Sequence, residues 1–489
     1  MTDTIVTAAG DSAVLPDDFV WTPAWRVCEL IANRDVSPVD VLELFLARIE
    51  RLEPTLNAFA YLDAEGARNA AREAERAFDA GDPIGPLHGL PVAIMDGIKV
   101  KGMPTPHWGW KVAGYDDLAV ERLREAGAII LGTTHTYLFD PHKRPRNPWN
   151  LERDPGNSSR GNGPAVAAAL VPVAVGMDGA GSTRLPAAWS GLVGVNPSRG
   201  LIPYTDYEGP GLLLTTTVGP MARTARDAAL LLQVMAGPDG RDYVSTQAAP
   251  PDFIAGIDGG VNGVRIAWTD DFGYSRPHWQ EESERVVAVA REAAFALQSA
   301  GAEVEQINDE WEDPHPTMFA LGAILSSVAY VPPVNLDEMT ERIRLVDEVS
   351  GRVSDKPAGM TVPATGLPPE PTPEDYRRVS EQRRAAWNTM RHVLAKHDVI
   401  AAVTTPLLPR TLKEWGLQGH DLMWHVQTAH TTLFNLLGFP AISVPCGLLD
   451  GLPVSIQLAG LPGSEDLLLR VAASIQAQNP LPERPTAIA

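Results

Sequence analysis

Beyond residue 85 the hydrophobic period of the chain switches repeatedly, and that switching limits the folds open to it. Short apolar runs at 90–94, 128–131, 173–175, 263–268 and 399–403 have the length of strands. Helical patterns at 118–126, 164–170, 225–236, 281–299 and 373–396 stand among them. Strands separated by helices imply a largely parallel or mixed sheet covered by helices on both faces, an α/β architecture. Near the end, 440–447 and 452–458 read as a hairpin turned at Asp450-Gly451, a pair suited to the two positive φ angles of a tight turn. Strand signals at both ends of the chain predict one unit over 1–489, with an irregular insertion about 307–373. Six prolines between 357 and 373 make a surface loop of the end of that insertion.

The first eighty residues are helical instead. Ser37-Pro38 reads as an N-cap and a proline at the first helical position, opening an amphipathic helix that should stop before Pro54. A second helix over 65–80 ends at Gly81.

Bulk properties remove several classes of function. At 489 residues the chain can bury a large core, but its formal charge of −21 opposes binding to nucleic acid or to an anionic membrane surface. Two cysteines, Cys28 and Cys446, make no disulfide framework, and no metal-ligand spacing is present. His420, His425 and His430 recur every five residues, a spacing that does not stack on a helix face. The longest apolar run, 165–175, is broken by Pro172 and is too short for a bilayer, and the opening residues lack a signal-peptide pattern. These features predict a soluble, cytoplasmic protein with no cofactor, whose partner is a small molecule; a homodimer is also open.

Chemistry concentrates in Gly176-Met-Asp-Gly-Ala-Gly-Ser182-Thr-Arg184. A nucleophilic serine needs a proton acceptor, donors aimed at the developing oxyanion, and a backbone that approaches the substrate closely. Gly179, Ala180 and Gly181 carry little side chain, so their N–H groups can serve as oxyanion donors beside Ser182, and Asp178 can pair with Arg184 beneath the turn. The alternative is a glycine-rich strand-to-helix turn without chemistry. A second glycine/serine turn, Pro155-Gly-Asn-Ser158-Ser159-Arg-Gly, precedes Ser182 on the far side of the small-residue helix 164–170.

In their order, 87–96, 147–150, 155–161, 176–184 and 191–200 resemble the pattern of the amidase signature family, with a signature core about 85–205. The segments 434–447, 452–458 and 466–469 are similar to its C-terminal part. The layout most resembles the bacterial branch that includes 6-aminohexanoate cyclic dimer hydrolase. This resemblance implies a Ser–cis-Ser–Lys triad. Its nucleophile falls on Ser182, and its bridging serine, which follows a cis peptide bond, falls on Ser158. Asn157 stands where the family has glycine.

The family lysine falls on Met95, whose thioether accepts hydrogen bonds weakly and holds no titratable proton. Lys99 and Lys101 follow, on a segment that should carry them away from Ser158. Arg160 and Asn162 replace a glycine and a serine, Gly179-Ala180 replaces Thr-Gly, and Asn196 replaces a lysine.

Two readings result. One is an acyl-transfer enzyme acting on a small amide, lactam or ester through Ser182, with its mechanism altered by Met95. Here His135 or His107 is a candidate proton relay, and Arg160 either meets an anionic group or is solvated. The other is a pseudo-amidase retained for binding. A third family option, feeding ammonia to misacylated tRNA within a larger complex, sits poorly with the acidic surface. Trp108, Trp110, Trp189, Trp424 and Phe439 are either lining for an apolar pocket or core.

Overall fold

A computed structural model describes residues 15–105, 111–136, 144–205, 215–328, 372–412, 426–482 and 484–488. The strands are β1 (Phe59–Leu62), β2 (Pro91–Met95), β3 (Pro104–Thr105), β4 (Lys111–Val112), β5 (Ile129–Thr134), β6 (Val173–Asp178), β7 (Val193–Asn196), β8 (Thr217–Ala222), β9 (Arg265–Trp268), β10 (Glu303–Gln306), β11 (Val399–Val403), β12 (Ala441–Leu449) and β13 (Leu452–Ala459). Eleven of them form one sheet in the order β1-β5-β2-β6-β8-β7-β12-β13-β11-β9-β10, while β3 and β4 pair separately. Pairing is parallel for β5-β2-β6 and for β11-β9-β10, and antiparallel elsewhere. The sheet is mixed, as the alternation implied.

Side-chain alternation sorts the strands onto two faces. Val92 and Ile94 join one core cluster and Ala93 another, while Val399, Ala401 and Val403 part from Ile400 and Ala402 in the same way. The helices Ala225–Met235, Ser283–Ala296 and Glu465–Gln478 cover one face. Over the other lie Pro38–Leu56, Ala64–Ala80 and Asn162–Ala167 at one end, and Pro373–Leu394 with Thr432–Leu437 at the other. Central strands carry apolar side chains on both faces because both faces are roofed.

Local signals account for many boundaries. Ser37 caps its helix by accepting from Val39 N–H (3.0 Å) and Asp40 N–H (3.4 Å). The helix continues past Pro54 to Leu56, contrary to expectation. Proline there forfeits only a last-turn bond, and Asn57 closes the helix in the left-handed region at φ 51°. Asp450 and Gly451, at φ 52° and 76°, make the expected hairpin turn. Within the stretch expected to be irregular, Pro314–Val328 is a helix. Its Met318, Leu321 and Ile324 join Ala180, Val379 and Leu436 in one core cluster, an association that sequence periodicity alone does not register. Residues 329–371, with most of the proline run, lie outside the described residues.

Candidate active site

Three parallel strands, β5, β2 and β6, end at one edge of the sheet, and their last residues are Thr134, Met95 and Asp178. Loops beyond the carboxyl ends of parallel strands are where an α/β sheet leaves room for a ligand. Both glycine/serine turns meet here. Ser159 N–H donates to the Ser182 carbonyl (3.0 Å), which clamps the second turn onto the first. The peptide bond between Asn157 and Ser158 is cis. Ser158 and Ser182 are both half-buried.

Beneath Ser182 lies a closed polar network. Asp178 and Arg184 are fully buried and paired at 2.9 Å. Asp178 also accepts from the N–H groups of Gly181 (2.7 Å), Thr183 (3.3 Å) and Arg184 (3.2 Å). Burial raises this carboxyl, but the Arg184 charge and the hydrogen bonds outweigh it and hold Asp178 below its ordinary value. Arg184 reaches Gln457 Oε1 (2.5 Å), the Thr431 carbonyl (3.2 Å) and the Asn435 side chain. Asn435 Nδ2 returns to the Asp178 carbonyl (2.8 Å) and carboxylate (2.9 Å). Thr431 Oγ1 donates to the Ala180 carbonyl (2.6 Å), pinning the middle of the turn.

The network corrects one donor assignment. Gly181 N–H is spent on Asp178, so it does not point into the site. Among the described residues the N–H groups of Gly179, Ala180 and Ser182 have no acceptor. Gly181 matters for shape instead. Its φ is +117°, and a Cβ there would sit 2.3 Å from Thr431 Oγ1.

On the other side of Ser182 the chemistry is different. Met95 is buried at the end of β2, and its Sδ accepts from Ser159 Oγ (3.1 Å) and Met177 N–H (3.3 Å). Among the described residues no lysine is hydrogen-bonded to either serine. Lys99 Nζ turns to the Tyr115 hydroxyl (2.8 Å), and Lys101 is exposed. Asp96 is buried, and desolvation pushes its carboxyl well up, opposed by a hydrogen bond from Thr136 N–H. Near this point Asp96 Oδ1, Asn162 Nδ2 and Thr183 Oγ1 are buried without a hydrogen-bond partner.

The amidase family profile matches residues 40–469. The chain belongs to the amidase family. An acylamidase from Rhodococcus erythropolis is 33% identical, over 94% of this chain and 96% of that protein. A glutamyl-tRNA(Gln) amidotransferase subunit from Roseiflexus castenholzii is also 33% identical, covering 92% and 94%. The solved structure of 6-aminohexanoate cyclic dimer hydrolase superposes with a TM-score of 0.75 at 27% identity, covering 96% of this chain and 100% of that one. The molecule is thus an amidase-family enzyme, a class of hydrolases acting on the C–N bonds of amides.

Within this amidase the remaining sequence candidates separate clearly. Arg160 is neither solvated nor open to an anion, because it is buried and ion-paired with Asp154. A guanidinium so close to the core finds its counter-ion inside the protein. Asn157 is half-buried on the cis bond. His135, also half-buried, ties its backbone N–H to the Ala58 carbonyl (3.0 Å) and its carbonyl to Gly161 N–H (2.8 Å). Asn162 accepts from Thr134 Oγ1, and Asn196 accepts from Thr217 Oγ1 (2.7 Å), so both replacements serve the scaffold. Trp189 and Phe439 are core. His430 is buried between the Val403 carbonyl and Ser275, and desolvation lowers it to about 4. Burial pushes the Cys28 and Cys446 thiols up to about 12, which leaves them unreactive. His107, Trp108, Trp110, His420, Trp424 and His425 lie outside the described residues.

Sequence reasoning assigns no role to Thr431, Asn435 or Gln457. For Asn435 and Gln457 the signal is a polar residue standing inside an otherwise apolar run, Leu433-Phe-Asn-Leu-Leu437 and Val454-Ser-Ile-Gln-Leu458, whereas Thr431 has no such signal. Such a residue is buried only if it has partners.

Proposed function

We propose that this chain performs acyl transfer on small esters and activated amides through Ser182, with proton handling altered by Met95. The observation that carries the reading is the Met95 sulfur. It sits buried where the family's lysine is expected, already engaged by Ser159 and Met177 N–H. Ser182 Oγ attacks the carbonyl carbon and loses its proton towards Ser158 or solvent. The carbonyl oxygen takes the negative charge, facing the N–H groups of Gly179 and Ala180. When the tetrahedral adduct collapses, an alkoxide or phenolate leaves without being protonated first. An amine leaves only if a proton reaches its nitrogen, and among the described residues no lysine is hydrogen-bonded to either serine to deliver it. Esters therefore outrank anilides, and anilides outrank alkyl amides. Losing general acid–base transfer costs about 10²–10⁴-fold, whereas oxyanion donors and positioning alone retain roughly 10³–10⁴-fold over water.

The test pairs a fluorophosphonate label with rates on matched ester, anilide and alkyl-amide substrates, for wild type and Met95→Lys. Label on Ser182, a steep ester preference, and amide turnover raised about a hundredfold or more by Met95→Lys support the proposal. Equal alkyl-amide rates in the two proteins would sink the altered mechanism. No label on Ser182 in wild type would favour the pseudo-amidase reading.

A further inference from the structure

We propose that Asp313 and His315 form a positioning pair, which orients the threonines of segment 428–432 and through them the oxyanion turn at Ala180. The proposal rests on the reading of Ser182 as the nucleophile. Asp313 Oδ1 accepts from the N–H of His315 (3.0 Å) at the start of the helix Pro314–Val328. The His315 ring is buried, and its Nδ1 lies 2.6 Å from the same oxygen. A carboxylate at one ring nitrogen places the hydrogen there and sets the direction of the other. Nε2 then faces two buried hydroxyls, Thr428 Oγ1 at 2.8 Å and Thr432 Oγ1 at 3.2 Å. Capping the helix needs only the backbone contact, so the ring contacts are additional to it.

From those threonines the bonds lead to the turn. The Thr428 carbonyl accepts from Thr432 Oγ1 (3.0 Å) and Thr431 N–H (3.0 Å). Thr431 Oγ1 donates to the Ala180 carbonyl (2.6 Å), while the N–H of the same peptide group, on Gly181, donates to Asp178 (2.7 Å). A peptide group is planar. Holding its oxygen and its hydrogen therefore fixes the plane and the directions of the neighbouring N–H groups of Ala180 and Ser182. The helix reaches the turn by a second route, because Met318, one turn beyond His315, joins Ala180 in one core cluster. Tyr274 Oη holds the Ala429 carbonyl (2.6 Å) from the loop after β9. The segment thus stays docked when His315 is altered, and only its hydroxyls are released. Losing one oxyanion donor costs about 10²–10³-fold, and a tilted turn should cost less.

The experiment compares, in the full chain, His315→Asn, which keeps a donor near Asp313, with His315→Gln, whose amide reaches the position of Nε2. Each is assayed with 4-nitrophenyl acetate, for fluorophosphonate labelling of Ser182, and by hydrogen exchange of segment 176–184. His315→Asn should lower kcat about tenfold with KM within about twofold, the signature of an interaction made in the transition state. It should also speed exchange in 176–184 and leave the helix Ala225–Met235 unchanged. His315→Gln should restore most of both losses. If His315→Asn does not fold, Thr428→Val replaces it, with the same expected losses. Equal kcat and exchange in wild type and His315→Asn, equal impairment of the two variants, or a raised KM at unchanged kcat overturns the positioning role. No label on Ser182 in wild type sinks the nucleophile reading, and exchange in 176–184 then decides alone whether the pair holds the turn.

Discussion

The two flanks of Ser182 are built to opposite standards. Towards the C-terminal half of the chain, Asp178, Arg184, Thr431, Asn435 and Gln457 bond one another in a closed set. Towards β2, a thioether accepts weakly from two donors, while Asp96 Oδ1 and Asn162 Nδ2 stay unmatched. The first flank fixes the shape of the turn that presents Ser182, and the second is where a proton would be received. The contrast teaches that these tasks reside in different residues. On the proposed reading, the scaffold for acyl transfer stays whole while the acid–base part changes.

The comparison is broken most violently by Arg184→Ala. It strands the Asp178 carboxylate with no counter-ion in a fully buried position, at a cost of about 3–5 kcal/mol. Chemical denaturation should show that loss, together with disappearance of Ser182 labelling. An unchanged midpoint would mean that the network does not hold the turn.

A smaller, pH-dependent effect comes from the β2 flank. Glu53 accepts from Ala58 N–H (3.1 Å) and Phe59 N–H (2.7 Å), holding the Ala58 carbonyl that receives His135 N–H. Burial pushes its carboxyl from 4.5 up to about 7, against the pull of those two N–H groups. The uncharged form suits the fold, so its contribution is complete below pH 4.5 and drains away as pH rises to about 7. Glu53→Gln should therefore gain on wild type across that window, and the difference should level off above it. Melts at a series of pH values check this, and a constant difference would refute it.

The gentlest probe is Ser159→Ala. Removing the hydroxyl bonded to Met95 should cost about 1 kcal/mol and leave ester turnover within a few-fold. A loss of ester turnover as large as that of Ser182→Ala would place Ser159 in the reaction itself and blur the division between the flanks.

Much of the frame is legible in the sequence because its causes are local. Ser37-Pro38, Gly81 and Asp450-Gly451 each act on the nearest few backbone groups, and all three mark element ends in the structure. β8 escapes sequence reading because Gly219 and Pro220 interrupt its apolar run, although Val218, Met221 and Ala222 are buried in the sheet. Arg160 looks like a solvated or anion-facing residue in sequence because its partner, Asp154, is chosen by the fold of the intervening turn.

Composition and local order by themselves determined the alternation of strands and helices and the pair of serine turns. Such features depend on the residue's own chemistry and its near neighbours. Only the tertiary structure decided that Gly181 N–H faces Asp178 and that Asn435 and Gln457 complete the Arg184 network from more than 250 residues away. A hydrogen bond or ion pair is won by whichever group the packed chain brings within reach, and sequence distance does not enter that choice.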